Sequence, residues 1–305
     1  MSSPTAAGVI HDIGYRRYVG PRLGREYTTW SLYVHSLRTA FGLGRSAVAK
    51  IFPWFVFALL MFVAAILVAV QSQLETQFGI RERAFEYWGY PSSVNILVLL
   101  FCAIAAPELV SRDLRSGVLP LYFSRPITRW DYPLAKWLAL VSALFLLLFG
   151  PELLLFLGSA FSQDSMSNVW HEFLGFGRGL SISAIMAVLF ASIALLISSL
   201  SGRRAVAAAI TVGFFILTTP LVGILEVVAF AQSGGGDNGL TGTALTISEL
   251  SRLASPMTIV SGIAEWLYSD GSRIGPYGPL YLGVTFGVVV VCLVPTLLRF
   301  RKVAR

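Results

Sequence analysis

The chain has 305 residues, 55% of them hydrophobic and 13% charged, with a mean hydropathy of +0.72. That is more apolar surface than a water-soluble domain of this size can hide, because buried volume grows slowly with chain length. The net charge of +7 flanks apolar runs and forms no basic–aromatic module, which points to membrane topology and anionic lipid and away from nucleic acid. The two cysteines, Cys102 and Cys292, fall inside apolar runs, so a disulfide framework is excluded and both read as small buried hydrophobes.

Residues 1–26 read as an extended cytosolic lead. Seven Lys/Arg precede residue 51 and no apolar core of signal-peptide length does, so the first span is expected to act as its own insertion signal. His11 beside Asp12 reads as a solvated turn. Over 27–45, Tyr27, Trp30, Val34, Leu37 and Phe41 recur at steps of three and four, and Tyr33 widens the stripe. This predicts an amphipathic helix lying in the membrane interface with its aromatic rings inward.

Six apolar runs then reach spanning length: 51–70, 92–110, 137–160, 180–200, 205–231 and 278–298. Between the first two, Phe85, Tyr87, Trp88 and Tyr90 suit an aromatic belt at the membrane–water boundary. Residues 161–179, with Asp164, His171 and Glu172, read as a polar connection, and 201–204 as a tight basic turn. In 232–277, a glycine-rich linker at 234–239 is followed by helical periodicity over 246–268, which Pro256 divides into two short helices on or in the outer leaflet. Placing both termini inside puts 18 Lys/Arg in cytoplasmic segments and five outside, the arrangement that basic residues favour. The expected fold class is therefore all-α: a polytopic protein of the cytoplasmic membrane with six transmembrane helices and a basic tail at 299–305. No internal repeat is evident, which weighs against an inverted-repeat transporter.

Signatures of catalysis are missing from the sequence. Gly42-Leu43-Gly44-Arg45 lacks the Lys-Ser/Thr ending and preceding strand of a phosphate loop, and neither HExxH nor GxSxG occurs. No catalytic residue, metal ligand or cofactor is assigned. Three carboxylates interrupt apolar surroundings, where an ionised group at mid-bilayer costs about 2.5–3.5 kcal/mol or more. Glu108 is placed to pair with Arg112 four residues on. Glu152 follows Gly150-Pro151, where a bend could aim it at a cavity; a pathway role and a structural pairing both stay open. Glu226, nearer the end of its span, reads as structural or interfacial.

The densest charged island of the first half is the elbow at 111–136, with Arg112, Asp113, Arg115, Arg125, Arg129, Asp131 and Lys136 around an apolar piece too short to span. Asp113 four residues before Gly117, an apolar run, Ser124-Arg125-Pro126, Arg129 and Lys136 together resemble the cytoplasmic signature of ABC-2 type transporter permeases. Ala135 stands where that family has glycine, Asp113 where glutamate is commoner, and Pro120 is an unusual member of the run. The resemblance implies the membrane subunit of an exporter, paired with a second permease chain and docked through a coupling helix on a separate ATPase that carries the ATP and magnesium. It implies docking roles for Arg112, Asp113, Arg115, Ser116 and Gly117, and anchoring of the elbow to lipid phosphates or the ATPase by Arg125, Arg129 and Lys136. The alternative is an ion-coupled carrier using Glu152 and Glu226 as proton sites.

Overall fold

The computed structural model describes residues 20, 23–78, 85–163, 165–232, 243–269 and 274–303, and the regular structure of these residues is helical throughout. The readings made for His11 and Asp12, for Asp164 and for the glycine-rich 234–239 lie outside the described residues. In chain order the helices are α1 (Arg25–Ala40), α2 (Ala47–Phe78), α3 (Tyr90–Ser93), α4 (Asn95–Leu109), α5 (Ser111–Ser116) and α6 (Leu119–Phe123). There follow α7 (Asp131–Phe161), α8 (Met166–Leu200), α9 (Arg204–Gln232), α10 (Thr243–Ser251), α11 (Pro256–Tyr268) and α12 (Gly278–Val303). Six segments are long and apolar enough to cross a membrane: α2, α4 with α5, α7, α8, α9 and α12. Pro256 opens α11 and separates it from α10, as its fixed φ and missing donor require.

The centre of the bundle is the antiparallel hairpin of α7 and α8. Ala139, Ala143, Leu144 and Leu147 of α7 and Met186, Ala187, Ala191 and Ala194 of α8 are fully enclosed. Hydrocarbon outside is as apolar as leucine, so close approach through small residues and dispersion, not escape from water, holds such helices together. Gly150 and Gly158 of α7 seat α2 in the same way: a methyl at either would stand 2.8 Å from the Phe57 ring or 2.5 Å from Val68. Trp137 Nε1 donates to Ser192 Oγ at 2.9 Å across the hairpin.

Several boundaries differ from those the sequence suggested. The polar stretch at 161–179 is helical from Met166 onward, with Ser165 Oγ accepting from the Asn168 N–H at 3.3 Å as an N-cap. Its polar residues lie along one long helix, so hydropathy alone mistook the first turns of α8 for a loop. The helix at 27–45 ends at Ala40, where Gly42 and Gly44, at φ 69° and 78°, turn the chain; a side chain at Gly42 would collide with the Ala49 carbonyl. Its expected face is also divided: Leu32, Ser36 and Ala40 are buried, with α1 lying on α7, while Tyr27 and Trp30 remain exposed.

The elbow itself is two short helices and a corner. Val110 separates α4 from α5, α5 runs six residues, and Gly117 ends it in the left-handed region at φ 66°, which any β-carbon would disfavour. Pro120 opens the five-residue α6. Thr128 and Asp131 then exchange bonds of the capping-box kind, Thr128 N–H to Asp131 Oδ2 at 2.9 Å and Asp131 N–H to Thr128 Oγ1 at 3.4 Å. These start α7 at Asp131, six residues before the expected 137, and place Lys136 inside the helix.

Candidate functional site

At the elbow end of the bundle the buried ionic side chains face inward. Lys136 is 4% exposed in its side chain, and its Nζ stands 2.9 Å from Asp113 Oδ2. The Tyr132 hydroxyl donates to the same oxygen at 2.9 Å. Asp113 on α5 is thus tied twice to α7, so the last turn before Gly117 cannot shift without pulling on the central hairpin. Lys136, expected to reach lipid phosphate or a partner, is turned inward instead, because helix α7 begins early enough to enclose it. Burial, and then the charge of Asp113, raise the Tyr122 hydroxyl above its ordinary pKa.

Glu108, near the end of α4, gathers three arginines. Arg45 meets Oε1 at 2.5 Å, Arg204 meets Oε2 at 2.5 Å, and Arg112 reaches Oε1 at 3.3 Å. The i,i+4 pair with Arg112 is present, yet it is the longest of the three. The shorter ones join the start of α9 and the turn between α1 and α2 to α4. Asp131 makes a further tie, accepting from Arg25 Nε at 2.7 Å and from its terminal nitrogen at 2.6 Å. That bond raises the Arg25 pKa, so the pair stays charged. Arg129 donates to the Arg301 carbonyl at 3.4 Å, bringing the end of α12 to the same place. The elbow, α1, the start of α9 and the end of α12 therefore share one end of the bundle.

Between α1 and the elbow lies a cavity of about 710 Å³ whose lining includes Glu108, Arg112, Asp113, Ser116, Arg125 and Lys136. Arg115, Gly117 and Arg129 lie outside it. Outward, Arg115, Ser116, Gly117 and Arg125 are exposed, and so is Leu121, at 69%. The elbow thus has an inner face bonded to the spans, while Arg115, Arg125 and Leu121 are among its exposed residues.

A family model for ABC-2 family transporter proteins matches residues 54–304, which takes in all six apolar spans apart from the first turns of α2. The chain belongs to the ABC-2 transporter family. It is a multi-pass membrane permease, and permeases of this family work in general with ABC ATPase partners. No curated protein matches the chain closely enough to count as a relative.

The remaining candidates of this ABC-2 permease lie away from the elbow. Glu152 is fully buried in α7 and accepts from Ser183 Oγ of α8. Glu226 is exposed on α9. The three carboxylates singled out by burial cost therefore do not converge: one anchors arginines, one sits inside the hairpin and one faces outward. Arg25, Arg45, Arg204 and Tyr132 carry much of the elbow's bonding, and nothing in local spacing pointed to them. Their partners lie between 19 and 106 residues away. A sequence offers one signal for such pairs, an isolated arginine beside an otherwise apolar run, and that signal is shared with ordinary topology marking.

Proposed function

We propose that this permease is the membrane subunit of an ATP-driven exporter of the cytoplasmic membrane, with both termini cytoplasmic and an ABC ATPase docked on the outer face of α5 and α6. One observation carries the reading: Leu121 stands 69% exposed on an elbow that also exposes Arg112, Arg115 and Arg125. A bare aliphatic side chain on an elbow that also exposes arginines is what a partner with an apolar cleft and acidic rim would cover. The inward ties of Asp113 and Glu108 supply the mechanics, since a push on the elbow passes directly to α7, α9 and the turn into α2. Basic residues predominate at the elbow end, which supports placing it in the cytoplasm.

Pairing with a second permease chain is supported by α9. Ile210, Phe214, Leu217, Leu221, Ile224 and Val228 are exposed along it at steps of four and three, the spacing of a helix–helix seam. Glu226 is exposed beside this stripe, where a second protein surface would suit a carboxylate better than lipid would.

The test is co-expression with an ABC ATPase subunit, with pull-down on a tagged permease. Reversing charge at Arg115 and Arg125 and replacing Leu121 by Asp is expected to lose the ATPase while membrane insertion is kept. Retention of the ATPase by that variant would overturn the docking face.

A further inference from the structure

Glu152 lies 21 residues into α7 from Asp131, about 30 Å along the axis at the usual rise. Its side chain is fully enclosed. Ser183 Oγ donates to Oε1, and Oε2 has no hydrogen-bond partner among the described residues. A buried carboxylate with a single donor and no counter-ion among the described residues is among the costliest groups a bundle can hold. What lies at Oε2 is equally specific. A methyl on Gly179 of α8 would stand 3.3 Å from Oε2 and 3.1 Å from the backbone oxygen of Tyr87. The bare glycine leaves a notch beside Oε2, bordered also by the Tyr87 carbonyl oxygen, which accepts the Tyr90 N–H; Oε2 is the atom there that lacks a donor.

The same tyrosine leads outward. Tyr87 donates its hydroxyl to Glu172 Oε2 at 2.7 Å, and both residues line a polar cavity of about 200 Å³ with Gln71, Glu75 and His171, at the end of the bundle opposite the elbow. The backbone of Tyr87 thus borders the notch while its side chain borders the cavity. Among the described residues, the other titratable groups toward Glu152 are few. Tyr90 of α3 is committed to the Leu60 carbonyl at 3.0 Å, and Arg178, next to Gly179, lies over the Tyr268 ring at 5.7 Å. From α4 comes Cys102, bonded to the Phe190 carbonyl at 3.6 Å. α1 and α12 bring Arg25 and Arg301 to the elbow end of α7.

We propose that Glu152 is a proton-binding site within the bundle, loaded on Oε2 from the far-end polar cavity past Tyr87 and Gly179. A hydronium ion at the cavity surrenders a proton and becomes water, an O–H bond forms at Oε2 and directs its hydrogen into the notch, and release breaks that bond and returns the proton to a cavity water as hydronium. This gives the permease a proton step that belongs to its own spans and stands whether or not an ATPase docks on the elbow.

Infrared spectroscopy of the full-length protein in lipid tests it. The wild type is expected to show a carboxylic-acid carbonyl band that is lost in Glu152→Gln, shifts in D2O and gives way to carboxylate at alkaline pH. Because the glutamine variant could fail to fold, the wild type is also treated with dicyclohexylcarbodiimide, an apolar reagent that adds to undissociated carboxyl groups, and the adduct is located by fragment mass. An adduct on Glu152 that declines as pH rises supports the site. An adduct on Glu226 without one on Glu152, labelling of Glu152 that ignores pH, or an acid band that does not respond to D2O overturns it.

Discussion

Asp113 and Lys136 stand 2.9 Å apart with the lysine side chain 4% and the aspartate 14% exposed, so the charge pair that joins the elbow to the central hairpin is nearly shut off from solvent. Removing one partner of such a pair leaves the other charge stranded, at a cost of about 3–5 kcal/mol. Lys136→Met and Asp113→Asn are each expected to lower the unfolding temperature in detergent by several degrees. The double variant should lose much less than the sum. A double-mutant cycle gives the coupling directly; additive losses would show that the pair does not hold the elbow.

Glu108 makes a different prediction, about rank. Its two short contacts go to Arg45 and Arg204, while Arg112 reaches it at 3.3 Å from the next helical turn. Hydrogen bonds to charged groups contribute about 1.5–3 kcal/mol, less where an arginine is half exposed, as Arg112 and Arg204 are. Glu108→Gln should therefore destabilise most, Arg45→Ala and Arg204→Ala less, and Arg112→Ala least. Thermal unfolding of the four variants tests the order, and Arg112→Ala as the worst of them would refute it.

How far the sequence reaches is visible in these two sites. Apolar run length is enough for six spans because lipid leaves the backbone few alternatives to helix. The residue types of the elbow were legible for the same reason: charges between two spans stand out. Direction was not legible. Lys136 looked like a surface cation until the Thr128–Asp131 cap started α7 early and enclosed it. Glu108 looked like a local i,i+4 pair, since Arg45 and Arg204 come together with it only once three helix ends meet. The α8 start was misjudged because polarity was read as irregularity, although Ser165 was available as a cap.

Arg25 and Asp131 give a third test, on dynamics. The guanidinium grips both carboxylate oxygens, at 2.7 and 2.6 Å, and is the ionic tie between α1 and α7. The arginine is largely exposed, so little global stability is expected of the pair. Arg25→Ala should instead raise amide exchange in the first turns of α1 and leave the unfolding temperature nearly unchanged. Arg25→Lys should restore only part of the protection, because an ammonium cannot bond both oxygens in the same fork. Unchanged exchange in Arg25→Ala would mean that Tyr33, bonded to Ser142 Oγ at 2.9 Å, holds α1 without it.

The packing of α11 on α12 yields a prediction with two signs. Gly262 of α11 lies under the Tyr281 ring, where a methyl would come within 2.3 Å of a ring carbon, and Gly278 at the start of α12 lies under Trp266, at 2.0 Å. Neither ring is free to withdraw. Tyr281 is fully enclosed and its hydroxyl donates to the Glu249 carbonyl at 2.5 Å, while Trp266 packs against the hydrophobic core. Gly262→Ala and Gly278→Ala should each cost about 1–3 kcal/mol by overpacking. Gly283 and Gly287, on the same helix as Gly278, have open space where a methyl would go. Alanine there should be neutral or stabilise by up to about 1 kcal/mol through lost backbone entropy. Thermal unfolding of the four alanine variants separates the pairs, and equal behaviour of Gly262→Ala and Gly283→Ala would show that the rings move aside and that α11 rides loosely on α12.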